Sequence, residues 1–132
     1  MRVKPDPRPF RLTLGERGEM AAWAFLIKRG YKILEKNYRC PLGEIDCIAE
    51  KKGRLVFLEV KTRSSEHYGR PEEAVDAVKQ RKLLKLAQWY LKEKSKAEAS
   101  VSFAVVAVER FPSGESGVRL IEDAFQAGEG FV

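Results

Sequence analysis

The chain has 132 residues, 44% hydrophobic and 33% charged, which leaves room for one domain of a globular rather than a disordered kind. Its longest apolar run, Met20 to Ile27, is far short of the roughly 20 residues that span a bilayer, and two cysteines with one histidine build neither a disulfide framework nor a common zinc site. The net charge of +6 is uneven: residues 1–98 hold 23 basic and 14 acidic side chains, residues 99–132 only 2 and 5, a surplus that suits a polyanionic partner as well as plain solubility.

In chain order, residues 1–12 carry three prolines and four basic side chains and read as an extended basic arm. The prolines separate the basic start from any apolar stretch, so no secretory signal is read and a soluble, cytoplasmic protein without membrane contact is expected. Thr13 and Glu16 have capping-box spacing, and the apolar stretch through Ile27 predicts a first helix ended by Gly30. Tyr31–Tyr38 predicts a strand, and Pro41 and Gly43 a turn. Glu44–Ala49 predicts a second strand with Ile45 and Cys47 on one face. Lys51, Lys52 and Gly53 supply a hairpin turn into Leu55–Val60, apolar enough to be covered on both sides. Residues 62–75 read as a loop, and Asp76 as the N-cap of a helix to about Lys94 with the stripe Leu83, Leu84, Ala87, Tyr90 and Leu91. Val101–Val108 and Val118–Ile121 complete the strands. The expected fold is α/β, a mixed sheet flanked by helices in the order α-β-β-β-α-β-β, with a single domain at 13–122 and a short tail at 123–132.

Acidic residues on strands are the chemical signal. Glu44 and Asp46 stand two apart, as do Glu59 and Lys61 at the end of an apolar run. A carboxylate there is costly unless it is paired, hydrogen-bonded or bound to a cation. Across the hairpin, Asp46 and Glu59 come within a few Å, and a hard divalent ion relieves their repulsion. The alternative is ion pairing, Glu59 with Lys61 and Asp46 with Arg39, worth about 0–1 kcal/mol when exposed. Glu19 adds a third acid, on the same helical stripe as Ala22, Trp23 and Leu26. Its alternative is a favourable charge near a helix N-terminus.

Gly43-Glu44-Ile45-Asp46 followed by Val56-Phe57-Leu58-Glu59-Val60-Lys61-Thr62-Arg63 resembles the PD-(D/E)xK nuclease signature. With Gly15-x-x-x-Glu19-x-x-Ala22, Asn37-Tyr38-Arg39-Cys40, Lys79 and Ala87-x-x-Tyr90-Leu91, the pattern is similar to the YraN-like bacterial proteins, predicted nucleases related in fold to archaeal Holliday-junction resolvases. The resemblance implies a restriction-endonuclease-like core. It implies that Asp46 and Glu59, with the Val60 main-chain carbonyl, hold Mg²⁺ or Mn²⁺. It further implies that Lys61 orients or activates the attacking water and that Glu19 is the resolvases' helix-one acid. Ile45 stands where the signature has proline.

The function this resemblance implies is that of a metal-dependent endonuclease acting on DNA phosphodiesters, with selectivity for shape such as junctions or flaps, because no base-reading motif is present. Arg17, Arg39, Arg63, Arg70 and the Lys79–Lys85 cluster, Lys82 within it, are the expected phosphate contacts, and Gln80 is a neighbour of the site. A homodimer is implied by likeness to the resolvases only. Glu44 either helps hold outer-shell water or pairs with arginine, and His67 is read as a bystander. The rival is a non-catalytic DNA- or protein-binding module of the same fold. An RNA-binding role is disfavoured because Trp23, Tyr31, Tyr38 and Trp89 read as core or flank residues rather than stacking platforms.

Overall fold

The computed structural model describes residues 14–64, 76–110, 113 and 116–125. In order these form α1 (Leu14–Lys28), β1 (Lys32–Cys40), β2 (Gly43–Lys51), β3 (Arg54–Ser64), α2 (Ala77–Glu93), β4 (Val101–Arg110) and β5 (Ser116–Phe125). The expected order of elements is the observed one. Each strand runs longer than its apolar core predicted, because polar residues at both ends keep pairing after their side chains reach water. β5 reaches Phe125, three residues into the segment read as tail. The basic arm, Thr13, His67 and Arg70 lie outside the described residues.

Chain reversals follow local chemistry. Gly30, at φ +91°, ends α1: its N–H bonds to Ile27 O and that of Tyr31 to Leu26 O, at 3.1 and 3.0 Å. Lys52 and Gly53, both with positive φ, make the two-residue turn between Lys51 and Arg54. Asp76 caps α2 by accepting the Lys79 N–H at 2.9 Å. The other end of α2 repeats the α1 arrangement with Ser95 at φ +54° in the glycine position, its N–H bonding to Lys92 O and that of Lys96 to Leu91 O.

One five-stranded sheet runs β1-β2-β3-β4-β5, antiparallel except for β3 beside β4, which α2 connects as a crossover. Each helix covers one face. Ala22, Trp23 and Leu26 of α1 pack on Cys47, Leu58 and Val106, while Leu83, Leu86 and Tyr90 of α2 pack on Ile45, Phe57 and Phe103. The α2 stripe thus includes Leu86, with Leu84 only partly buried at its edge.

Besides the register shifts at Ile33/Glu35 in β1 and at Phe103/Val105 in β4, the sheet changes its alternation near Asp46. Lys36 lies over the Trp23 ring of α1, yet Tyr38, two residues on, meets Tyr90 of α2 edge-on with ring centroids 5.3 Å apart. Their partners across the ladder do the same: Cys47 belongs to the α1-side core and Ile45 to the α2-side core. Residues two apart in a regular strand share a face. Both strands therefore change face between these pairs, at Asn37, whose φ is +52°, and at Asp46. The expectation that Ile45 and Cys47 share a face is corrected here, and with it the spacing argument that set Glu44 beside Asp46. β3 keeps its alternation, with Phe57 toward α2 and Leu58 and Val60 toward α1, so Glu59 and Lys61 follow on the α2 side.

Candidate active site

The face change at Asp46 ends the regular β2–β3 ladder at the Cys47–Leu58 pair. Beyond it the Asp46 side chain replaces the backbone as acceptor: its Oδ2 takes the Val60 N–H at 2.8 Å. That bond holds the Asp46 carboxyl against the Glu59 carboxyl, and the two share a hydrogen bond. Lys61 Nζ stands 3.8 Å from Glu59 Oε1. The Glu59 and Lys61 side chains are 25% and 29% exposed, so they are shielded from bulk water but open to an incoming phosphate.

Two more elements close on this pair. The first turn of α2 brings Lys79 against Lys61. From α1, Glu19 bonds to the Asn37 side chain and feels the Asp46 charge. The approach of α1 depends on Gly18: a Cβ there would collide with Thr62 Oγ1 and stand 2.8 Å from Thr62 Cβ and Cγ2. The face change does the same for Asn37, since a left-handed residue in β1 turns its amide toward Glu19; asparagine adopts that backbone more readily than most residues.

The electrostatics are those of crowded like charges. Burial, then the Asp46 charge, pushes Glu59 up to about 7. Burial likewise raises Asp46, against the Val60 N–H that favours its charged form. Glu19 is raised by burial and then by Asp46. Lys61 is lowered, first by its hydrogen bond to Lys79 and then by burial. The expected pairing of Glu59 with Lys61 is present, but Arg39 pairs with Glu44, 3.3 Å away, rather than with Asp46.

Glu19, Asp46, Glu59 and Lys61 therefore come together, and Val60 joins them through its N–H. Gln80 is half-buried on the first turn of α2, next to Lys79. Arg17 on α1 and Lys82 on α2 are exposed, and Arg63 on β3 is half-buried. Lys82 lies over Gly43, where a Cβ would stand 3.1 Å from its Cε. Among the described residues no third His, Cys, Asp or Glu converges on Asp46 and Glu59 closely enough to complete a three-ligand cluster. Asn37 is the site neighbour that residue chemistry alone missed. The available signal was its place in Asn37-Tyr38-Arg39-Cys40, part of the YraN-like pattern.

A family model described as uncharacterised protein family UPF0102 matches residues 18–108. A UPF0102 protein of Moorella thermoacetica is 48% identical over 120 residues, covering 87% of this chain and 97% of its own length. One from Symbiobacterium thermophilum is 49% identical over 114 residues, covering 86% and 97%. Among solved structures, the EndoMS–dsDNA2 complex overlaps 84% of this chain and 42% of that chain at 23% identity and a TM-score of 0.43. SfsA of Pyrococcus furiosus in complex with Ca²⁺ overlaps 78% and 62% at 18% identity and a TM-score of 0.41. This chain thus spans less than two thirds of either solved chain. No helix among the described residues is long and apolar enough to cross a membrane.

Proposed function

We propose, for a chain that belongs to the uncharacterised protein family UPF0102, that it is a divalent-cation-dependent endonuclease hydrolysing DNA phosphodiesters, with selectivity for branched or otherwise irregular DNA. Membership bears out the YraN-like resemblance read from the motifs. The observation that carries the functional reading is the contact of Asp46 with Glu59, both raised by burial and Glu59 further by the Asp46 charge, beside a lysine whose charge is disfavoured.

The donor set fits a hard divalent cation. Mg²⁺ takes one or two carboxylates and completes its shell with waters and phosphate oxygens, so two acids without a third are sufficient. Asp46, Glu59 and the Val60 carbonyl would hold it. Bound there, the ion supplies Lewis-acid polarisation of a phosphoryl oxygen and a lowered pKa for water.

The protein's own groups do the rest. The Val60 N–H fixes one oxygen of Asp46 and so orients its carboxyl. Lys61, lowered by its contact with Lys79 and by burial, orients the attacking water. Lys79 beside it offsets charge growing on the phosphoryl oxygens. Glu19, tethered by Asn37, adds negative potential on the cation's side.

The test is cleavage of end-labelled linear, flapped and four-way DNA with Mg²⁺, Mn²⁺ or chelator. Cation-dependent cutting that falls at least a hundredfold in Lys61→Ala and Glu59→Gln is expected. Cutting that survives either substitution, or that proceeds in chelator, refutes the assignment.

A further inference from the structure

The exposed face of α2 is strongly basic. Lys82, Lys85, Trp89 and Lys92 recur at steps of three and four and so form one stripe, turned away from the buried Leu83, Leu86, Ala87 and Tyr90. The helix carries five cations, Lys79, Arg81, Lys82, Lys85 and Lys92, and one acid, Glu93. That acid is already engaged, accepting from the Tyr38 hydroxyl and pairing with Lys94. Lys82 and Lys85, and Arg81 and Lys85, are like charges at repelling spacings, and the one acid at the start of the helix, Asp76, is engaged as its cap. None of Arg81, Lys82, Lys85 or Lys92 forms an ion pair with a described residue. Among the described residues the stripe lacks a partner anion.

Trp89 lies within that stripe and is 38% exposed, whereas Trp23, in the α1-side core, is 8% exposed. Of the core and flank positions expected for Trp89, the structure gives it the flank. An indole flanked by lysines is the pairing that proteins use to hold single strands: the cations track phosphates and the ring stacks on a base. A paired duplex has no free base face to offer it.

We propose that this face of α2 is the path of an unpaired DNA strand, with Trp89 stacking on one of its bases and Lys82, Lys85 and Lys92 on its phosphates. The inference rests on the nuclease reading of the acid–lysine site and names its substrate class: DNA with a single-stranded segment. Lys79, at that site, is ten residues before Trp89, about 15 Å along the helix. The stacked base therefore lies a few nucleotides from the bond to be cut.

The experiment uses the whole protein in chelator, where nothing is cleaved. In a Trp23→Phe background Trp89 is the sole tryptophan; should that variant not fold, the difference between wild type and Trp89→Phe reports the same signal. Titration with a dodecamer of thymidylate should quench Trp89 emission. By the usual strength of base–aromatic stacking, Trp89→Ala should weaken the dodecamer about 5- to 150-fold, and Trp89→Phe by much less. The preference for forked over blunt DNA should vanish in Trp89→Ala. Absence of quenching, equal losses on dodecamer and blunt duplex, or tighter binding of the uridylate dodecamer each overturns the proposal. The two readings fail separately. Quenching without cleavage under Mn²⁺ removes the nuclease and with it the path's role in substrate choice; cleavage of forked DNA without quenching removes the path and leaves the nuclease.

Discussion

Replacing Glu59 by glutamine keeps the side chain's shape and removes its charge, which isolates the cost of burying that carboxylate. In the folded chain Glu59 is raised from 4.5 to about 7, first by burial and then by Asp46. Between those values the unfolded chain has lost this proton and the folded chain keeps it, so stability falls as pH rises. At 1.36 kcal/mol per pH unit, a gap of about 2.5 units is worth roughly 3 kcal/mol, an upper figure because Asp46 shares the proton. Below pH 4.5 both states are protonated and nothing is lost; above 7 the loss is complete. Urea unfolding in chelator from pH 4 to 8.5 should therefore show Glu59→Gln gaining on wild type through this window by up to about 3 kcal/mol, then running parallel to it. Saturating Mn²⁺ at pH 8 should restore wild type and leave the variant nearly unmoved, since a ligand that binds only the folded state stabilises in proportion to the logarithm of its excess. A difference between the two proteins that stays flat with pH would refute the account of this pair.

Gly18→Ala gains helix propensity but drives a methyl into Thr62; a net loss of about 1–3 kcal/mol is expected by thermal melting, with cleavage falling as Glu19 is displaced. Ser95→Gly relieves a left-handed residue at the end of α2 and should stabilise by about 0.5–1 kcal/mol in urea unfolding without touching activity. Asn37→Ala removes the bond that favours the charged form of Glu19 and puts alanine at φ +52°, so it should destabilise by about 1 kcal/mol or more. It should also shift the Glu19 titration, followed by carboxyl NMR, further upward.

Strong local signals made the fold legible. Gly30, the Lys52-Gly53 turn and the Asp76 cap each stand where the backbone needs them. Ser95 escaped notice because main-chain hydrogen bonds, not its side chain, mark the end of α2. Of the site, the acids and lysine of β2 and β3 were readable because Glu59 and Lys61 keep strict alternation and the hairpin register is set by a two-residue turn. The face change at Asn37 and Asp46 was not, because period-two reasoning assumes an unbroken ladder and nothing in the residue types forbids one. The exposure of Trp89 was not legible for a related reason: on a helix whose stripe is wide, a large apolar residue at its margin has the same spacing as a core residue.

The energetics of the cluster decide between a structural and a functional account of its charges. An ion pair that stabilises a sheet end lowers the pKa of its acid and raises that of its base, because each charge is better off folded than unfolded. Here the opposite holds throughout: Glu19, Asp46 and Glu59 are raised and Lys61 is lowered, so folding opposes every one of these charges. The single 3.8 Å contact between Lys61 and Glu59 does not offset the burial of the acids, the Asp46 charge on Glu19 and Glu59, and a lysine crowded on a lysine. What would relieve both crowds at once is a cation between the carboxyls and an anion against the amines, side by side. A divalent ion together with the phosphate it polarises meets that requirement, whereas a packed protein partner, which would bury the same groups further, does not.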